Sequence, residues 1–373
     1  MLLLHFSHVV GLILLLLTLA SVIVFGTLRN SRKSMAPDRE FLRELWRRGA
    51  WTAAAAAPAA ALTIHYLLTN SGSAMGDRLS WRTLVVFLGT LSGPIACFSN
   101  RELLFSIPLA FLILGLSARA LRMAFEHRAG DMDWTFLALA AAATALYLAA
   151  PDSSSGGSFL SRRLTLFPVL FLVFWVSQFP LGARAGRLMR VGLIACALGL
   201  TLIRIPSYAA FNRDLTEFLS CEAVLPQRAT FIPLMLIRQS EGEGGTARSK
   251  HTWPLDSAAD HLMSVKGRMD LAHYEGAMEG FYLKFRPEVD PSRYIGSYPA
   301  WAWLVPPECD FLSYSSRTPG RLDYVLLWGR SAASEETLRS ASARSIFSQL
   351  ENGYRKIFTS APRGLMEVYE RRR

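Results

Sequence analysis

Lysine is scarce in this chain, and cysteine is limited to four residues. No CxxC pair occurs, which leaves a zinc ribbon without support. No HExxH or HxH spacing is present, so metal ligands are not paired on one face, and no metal site is expected. A GxSxG elbow is missing, and nucleophilic hydrolysis loses its usual frame. A P-loop and a strand–GxGxxG–helix unit are also missing. The G-E-G-G of Gly242–Gly245 sits in a polar loop with no helix after it. These absences call for no cofactor. Acidic residues are almost absent from the apolar runs, which weakens a proton-coupled transporter. There is no internal repeat, no coiled-coil heptad and no basic–aromatic pattern of a nucleic-acid module, so no nucleic acid is expected as a partner.

What is present is unevenly divided. Hydrophobic residues make up 51% of the 373 positions and charged residues 18%. The apolar runs are concentrated in residues 1–206, while residues 207–373 read as an ordinary water-soluble sequence. About 20 apolar residues cross a bilayer. The expected fold is therefore an α-helical polytopic membrane domain followed by a small α/β extracytoplasmic domain.

The net charge of +11 comes largely from clusters at Arg29–Arg48, Arg119–Arg128 and Arg184–Arg190. All three flank apolar runs, and the positive-inside bias places them on the cytoplasmic side. Leu2–Phe25 reads as a retained helix. Thr27–Gly49 is then cytoplasmic, and Trp51–Leu68 crosses outward. The segment 83–98 is short and holds Gly89, Gly93 and Pro94, so it is either a span or an interfacial or re-entrant helix. The second option puts the later arginine clusters inside and is preferred. Leu103–Ala118, Trp134–Ala150, Leu164–Pro180 and Val191–Ile205 complete about six spans, with Asp131 and Asp133 as caps. The soluble tail ends up outside.

Pro151–Arg163, P-D-S-S-S-G-G-S-F-L-S-R-R, is a polar hairpin between two of these runs. Arg162 and Arg163 close it at the head of a helix. An arginine pair there can hold a phosphate bidentately, or its side chains can snorkel to lipid headgroups.

In the tail, Ala229–Ile237 and Leu322–Trp328 read as strands and Ser257–Lys266 as a helix. Glu335–Asn352 reads as a helix closed by Gly353. Tyr354–Thr359 and Leu365–Glu370 form a hairpin across S-A-P-R-G. The densest polar stretch is Asp260–Arg286, which offers His261, Asp270, His273 and Arg286. A catalytic reading uses a histidine or acid as base and Arg286 as an anion clamp. The other reading is a surface segment docked on the membrane domain. Cys221 and Cys309 are either bridged, closing a long loop, or two buried thiols.

The span ending L-Y-L-A-A-P, the G-G-S-F-L-S-R-R that leads into the next span, the strand L-D-Y-V-L-L-W-G and the terminal α/β domain together resemble the C-terminal half of bacterial multi-spanning glycosyltransferases of the GT-C superfamily. The resemblance covers about Trp134–Arg373. It implies a plasma-membrane protein of cell-envelope assembly that binds a polyprenyl-phosphate sugar. In that family a catalytic carboxylate sits in the first outward loop. Here the first loop is the basic Thr27–Gly49, so the chain reads as a partial or non-catalytic member, with catalytic residues unassigned. The carry-over is limited to Arg162 and Arg163 as phosphate contacts, under a lid that contains His261, His273 and Arg286. The competing reading is a non-catalytic envelope protein whose soluble tail binds a partner, including a partner membrane protein.

Overall fold

The computed structural model describes residues 78–95, 98–126, 134–150, 164–180, 182–238, most of 255–276, 284–296 and 304–372, with isolated helical positions between 43 and 61. Leu2–Phe25, most of Thr27–Gly49 and Trp51–Leu68, Asp131, Asp133, the hairpin Pro151–Arg163 and the loop Glu241–Lys250 lie outside the described residues. The chain forms two compact units, Met1–Leu200 and Thr201–Arg373.

The first unit is helical. Helix α1 (Trp81–Thr90) starts at Ser80, whose hydroxyl accepts the Thr83 amide, and it stops at Leu91 in the left-handed conformation with φ 53°. A short helix α2 (Ser92–Ile95) follows. The segment 83–98 is thus broken, as its glycines and proline suggest. The break falls at Leu91, while Gly89 stays inside α1 and Pro94 inside α2. Ten residues of α1 rise only about 15 Å, short of a bilayer core.

Helix α3 (Leu103–Glu126) is longer than the apolar run alone indicates, because it carries its arginine-rich end as regular helix. Helices α4 (Thr135–Ala149) and α5 (Leu166–Val176) pack side by side. Two contacts fix the directions. At one end, Tyr147 Oη donates to Leu84 O at 2.6 Å, and Leu84, Tyr147 and Leu164 form a buried cluster. At the other end, Ala120, Ala124, Trp175 and Phe179 bury one another beside Trp134.

Helix α6 (Ala183–Leu219) is a single 37-residue element. The expected span Val191–Ile205 is only its middle, and Pro206 does not end it. Within the first unit α6 lies antiparallel to α3, with Gly199 against Phe105 and Gly192 against Leu112. A Cβ at Gly199 would come within 2.1 Å of the Phe105 ring. The absent side chain is what permits this approach. Asn100–Glu126 and Ala183–Val224 are long and apolar enough to cross a membrane, and both expose most of their apolar surface.

The second unit is a five-stranded mixed sheet in the order β2-β1-β3-β5-β4. The strands are β1 (Thr230–Met235), β2 (Met269–Asp270), β3 (Tyr324–Trp328), β4 (Tyr354–Thr359) and β5 (Met366–Arg371). Strands β2, β1 and β3 run parallel, and β5 pairs antiparallel with β3 and β4. Every residue of β3, Y-V-L-L-W, is buried. A continuous apolar run of this kind marks a strand covered on both faces.

Alternation divides its neighbours into two cores. Ile232, Leu234, Val325, Leu327 and Tyr369 face one side. Phe231, Leu326, Trp328, Met366 and Val368 face the other. Among the short helices α7 (Ala258–Met263), α8 (Pro291–Tyr294), α9 (Tyr314–Arg317), α10 (Glu335–Arg339) and α11 (Ala341–Gly353), α11 covers the first face through Ala343, Ile346 and Leu350. The end of α6 and α7 cover the second through Phe218, Ala258, Ala259 and Leu262.

Two local expectations change. Glu335–Asn352 is two helices, because Ser340 caps α11 by accepting the Ala343 amide. Gly353 is the last residue of α11 and not a left-handed cap. Its lack of a side chain admits Leu312, whose Cδ1 would lie 2.2 Å from a Cβ there.

Candidate functional site

The expected contacts fare unevenly. Arg162 and Arg163 lie outside the described residues. His261 is exposed on α7, and Arg286 is exposed just before the turn Pro287–Val289. His273 is half-buried. Its Nδ1 accepts the Gly276 amide at 3.3 Å, and its Nε2 lies 3.9 Å from Asp260 Oδ1. Phe285 N donates to Gly276 O, so the chain leading to Arg286 runs beside the His273 turn.

Beneath this turn lies Asp270, which ends the edge strand β2 and is 2% exposed. It accepts the Ala272 amide at 2.7 Å. Burial pushes its carboxyl up to about 8, the Ala272 amide opposes the rise, and the nearby Asp260 carboxylate adds to it. At neutral pH the group is therefore largely protonated. Sequence reasoning read the stretch that holds Asp270 either as a source of a general base or as a docked surface segment. The strand register Phe231 to Asp270 draws it inward instead. Two residues of strand gave no alternation to read. Among the described residues no group of three or more His, Cys, Asp or Glu side chains is arranged to hold a metal.

A second polar cluster escaped the sequence reading altogether. Asp214 and Glu217, near the end of α6, are buried. Arg363 Nη2 lies 2.8 Å from Asp214 Oδ1, and Arg363 Nε donates to Glu217 Oε2 at 2.7 Å. The other Glu217 oxygen accepts Ser360 Oγ at 2.8 Å and the Leu365 amide at 2.9 Å. Ser360 Oγ in turn accepts the Met366 amide. The two acids thus clamp the β4–β5 turn to the helix. The available signal was an Asp and a Glu three apart at the polar end of an apolar helix, with the distant S-A-P-R-G turn as partner.

This turn also bonds to the segment after β3, next to the sheet end where a ligand would be sought. In open α/β sheets a crevice forms outside the C-terminal ends of adjacent parallel strands whose connections leave in opposite directions. Here those strands are β1 and β3. Gly329, at φ 86°, follows β3 and packs so close to Ile237 that a Cβ would meet its Cγ1 at 2.1 Å. Its amide donates to Leu365 O at 2.6 Å. Ser331 Oγ donates to the carbonyls of Arg363 and Gly364. Beside it, Arg330 stacks on Phe347 at 4.7 Å and donates to Tyr369 Oη. Glu367 accepts from Tyr369 and Lys356. The β4–β5 turn is thus bonded to the segment that follows β3.

Cys221 and Cys309 are both unbridged. Cys221 lies in the core on one sheet face and Cys309 packs on the other, so the sheet stands between them. Burial pushes the Cys309 thiol up to about 12.

No protein-family model matches the chain, and neither a curated protein nor a solved structure does.

Proposed function

We propose that this chain is an integral membrane, glycosyltransferase-like protein of bacterial cell-envelope assembly, with its α/β unit outside the plasma membrane. In this reading the membrane domain binds a polyprenyl-phosphate sugar through Arg162 and Arg163. The observation that carries it is the 37-residue helix α6, apolar along its middle and continued without interruption into Asp214–Leu219. A membrane-length helix that also supplies part of a sheet domain's core suits a protein that holds a folded unit at a bilayer. The resemblance of the hairpin and the following spans supplies the ligand class.

The test is binding of polyprenyl phosphate to the full chain in detergent. Replacing both Arg162 and Arg163 by Gln should abolish binding without lowering the yield of folded protein. Lys at both positions should restore part of it, since charge survives but the bidentate fork is lost. Undiminished binding by the Gln pair would reject the contact.

The hydrogen bonds that tie the β4–β5 turn to the segment after β3 support a second reading for the tail, as a non-catalytic unit that engages a partner protein. Its acids Asp214, Glu217 and Glu367 are committed to internal bonds. Replacement of His261 and Arg286 by Ala then leaves polyprenyl-phosphate binding unchanged. A tenfold loss would instead assign them to the ligand.

A further inference from the structure

Helices α3 and α6 are antiparallel, and the pairs Phe105–Gly199 and Leu112–Gly192 set their level. Continuing that register brings Arg119 and Arg122, near the end of α3, level with Arg184, Arg187 and Arg190 at the start of α6. All five are exposed. Among the described residues only Arg122 has a carboxylate partner, Glu126 at 2.7 Å. Arg190 donates only to Gly186 O. Five arginines gathered at one level of the helix pair, with one described carboxylate, Glu126, among them, carry an excess of positive charge, so the cluster favours an anion supplied from outside the chain.

The neighbouring surface says what kind. Phe125 is 73% exposed, Leu188 72% and Val191 60%, each within four positions of one of the arginines. Cationic groups interleaved with exposed apolar side chains suit the boundary between headgroups and acyl chains, where stems lie in lipid and guanidinium groups reach phosphate. Spacing agrees. Arg101, in the 3-10 turn Asn100–Glu102 that leads into α3, and Arg119 are 18 positions apart, about 27 Å along a helix, close to the hydrocarbon thickness of a bilayer.

We infer that Arg119, Arg122, Arg184, Arg187 and Arg190 form a binding belt for the headgroups of anionic phospholipids in one leaflet. The inference rests on the membrane reading above and adds a lipid preference to it. The arginine fork grips a phosphodiester oxygen pair bidentately. The net negative charge of the headgroup supplies the counter-charge that the described residues do not. Zwitterionic lipids present the same phosphate with a compensating ammonium and bind less tightly.

The experiment uses the full chain in neutral detergent, titrated with phosphatidylglycerol or phosphatidylcholine carrying brominated acyl chains. Quenching of tryptophan emission is the readout. Trp134 and Trp175 lie at this end, with Phe125 and Trp134 ring centroids 6.4 Å apart. Phosphatidylglycerol should saturate at a concentration at least about tenfold lower than phosphatidylcholine, and added salt should narrow the gap. The triple variant Arg184→Gln, Arg187→Gln, Arg190→Gln should weaken phosphatidylglycerol binding on the order of one-hundredfold, from about fivefold per arginine. The corresponding triple Lys variant should keep most of the preference. The pair Arg119→Gln, Arg122→Gln on the other helix serves if the triple variant does not fold. Equal affinity for the two lipids, or a Gln variant that keeps the preference, overturns the belt. So does full displacement of phosphatidylglycerol by millimolar inorganic phosphate, which would mark a free-phosphate site. Alkaline extraction of membranes separates the two levels. Release of the chain rejects the membrane reading itself, whereas retention without lipid preference rejects only the belt.

Discussion

Asp270 carries a charge problem that its neighbours do not solve. Its carboxyl is buried, held up to about 8, and faces Asp260. In the unfolded chain an aspartate titrates near 3.9. Between about pH 4 and pH 8 the folded state therefore binds more protons, and stability falls as pH rises through that window. Each tenfold difference in proton affinity between the folded and unfolded states corresponds to about 1.4 kcal/mol. Asp270→Asn should flatten the pH dependence of thermal unfolding and raise the melting temperature at pH 8 relative to the parent. Identical pH profiles would remove Asp270 as the cause. Arg363 poses the opposite case. With Arg363→Ala, Asp214 and Glu217 lose this cation while they stay buried. The expected cost is about 3 kcal/mol, toward the low end for a broken buried pair because the arginine is 36% exposed. Denaturant unfolding of the variant checks it, and a loss under 1 kcal/mol would show the pair to be solvated. Neither role was legible beforehand. Asp270 looked like one polar residue among many, and Arg363 lies 146 positions from Glu217, beyond the reach of any local pattern.

At the scale of elements, periodicity was a good guide wherever a run was long. The hairpin β4–β5, the buried strand β3, the strand β1 and the helices α4 and α5 stand close to their expected ranges. Boundaries went astray where polar sequence continues a helix. The later end of α3 and both ends of α6 are helical through their arginines and acids, because charged side chains cost a helix little. The short strand β2 was invisible, since its place depends on pairing with β1. The same sheet decides the fate of the cysteines. With Cys221 and Cys309 on opposite faces, reducing agent should leave the melting temperature unchanged. Unreduced, denatured protein should alkylate fully at both thiols. A mass increase of two hydrogens on reduction would contradict the placement. Gly329 makes a sharper test of the join between β1 and β3. Gly329→Ala puts a Cβ into Ile237 at a φ of 86°, and it should destabilise the sheet by roughly 1–3 kcal/mol from the conformation alone. A variant as stable as the parent would show that Ile237 yields.

For the whole molecule, the split into an apolar helical part and a water-soluble part was readable from composition, because hydrophobicity changes along the chain more sharply than any motif does, while the α/β character of the second part came from strand and helix patterns. Chemistry was not readable in the same way, since the arginine pair at 162 and 163 and the His261–Arg286 stretch are each compatible with bland roles. Topology remains the most direct check on the proposal. A cysteine introduced as Thr246→Cys in a background without the native cysteines should react with an impermeant maleimide on intact cells. Reaction only after permeabilisation would place the tail on the cytoplasmic side, as expected if 83–98 spans, and would reverse the assignment of the two later arginine clusters.

The order of strands in the sheet is not the order in which a ribosome delivers them. Strand β4 is finished before β5, yet β5 is its sole partner in the sheet. Glu217 likewise emerges 146 residues ahead of Arg363. At 5–20 residues per second that interval is about 7–30 s. Throughout it the two acids at the end of α6 await the arginine that later clamps them. The unit is therefore assembled late and all together, and its most exposed moment in the cell comes while its last few dozen residues are still being made.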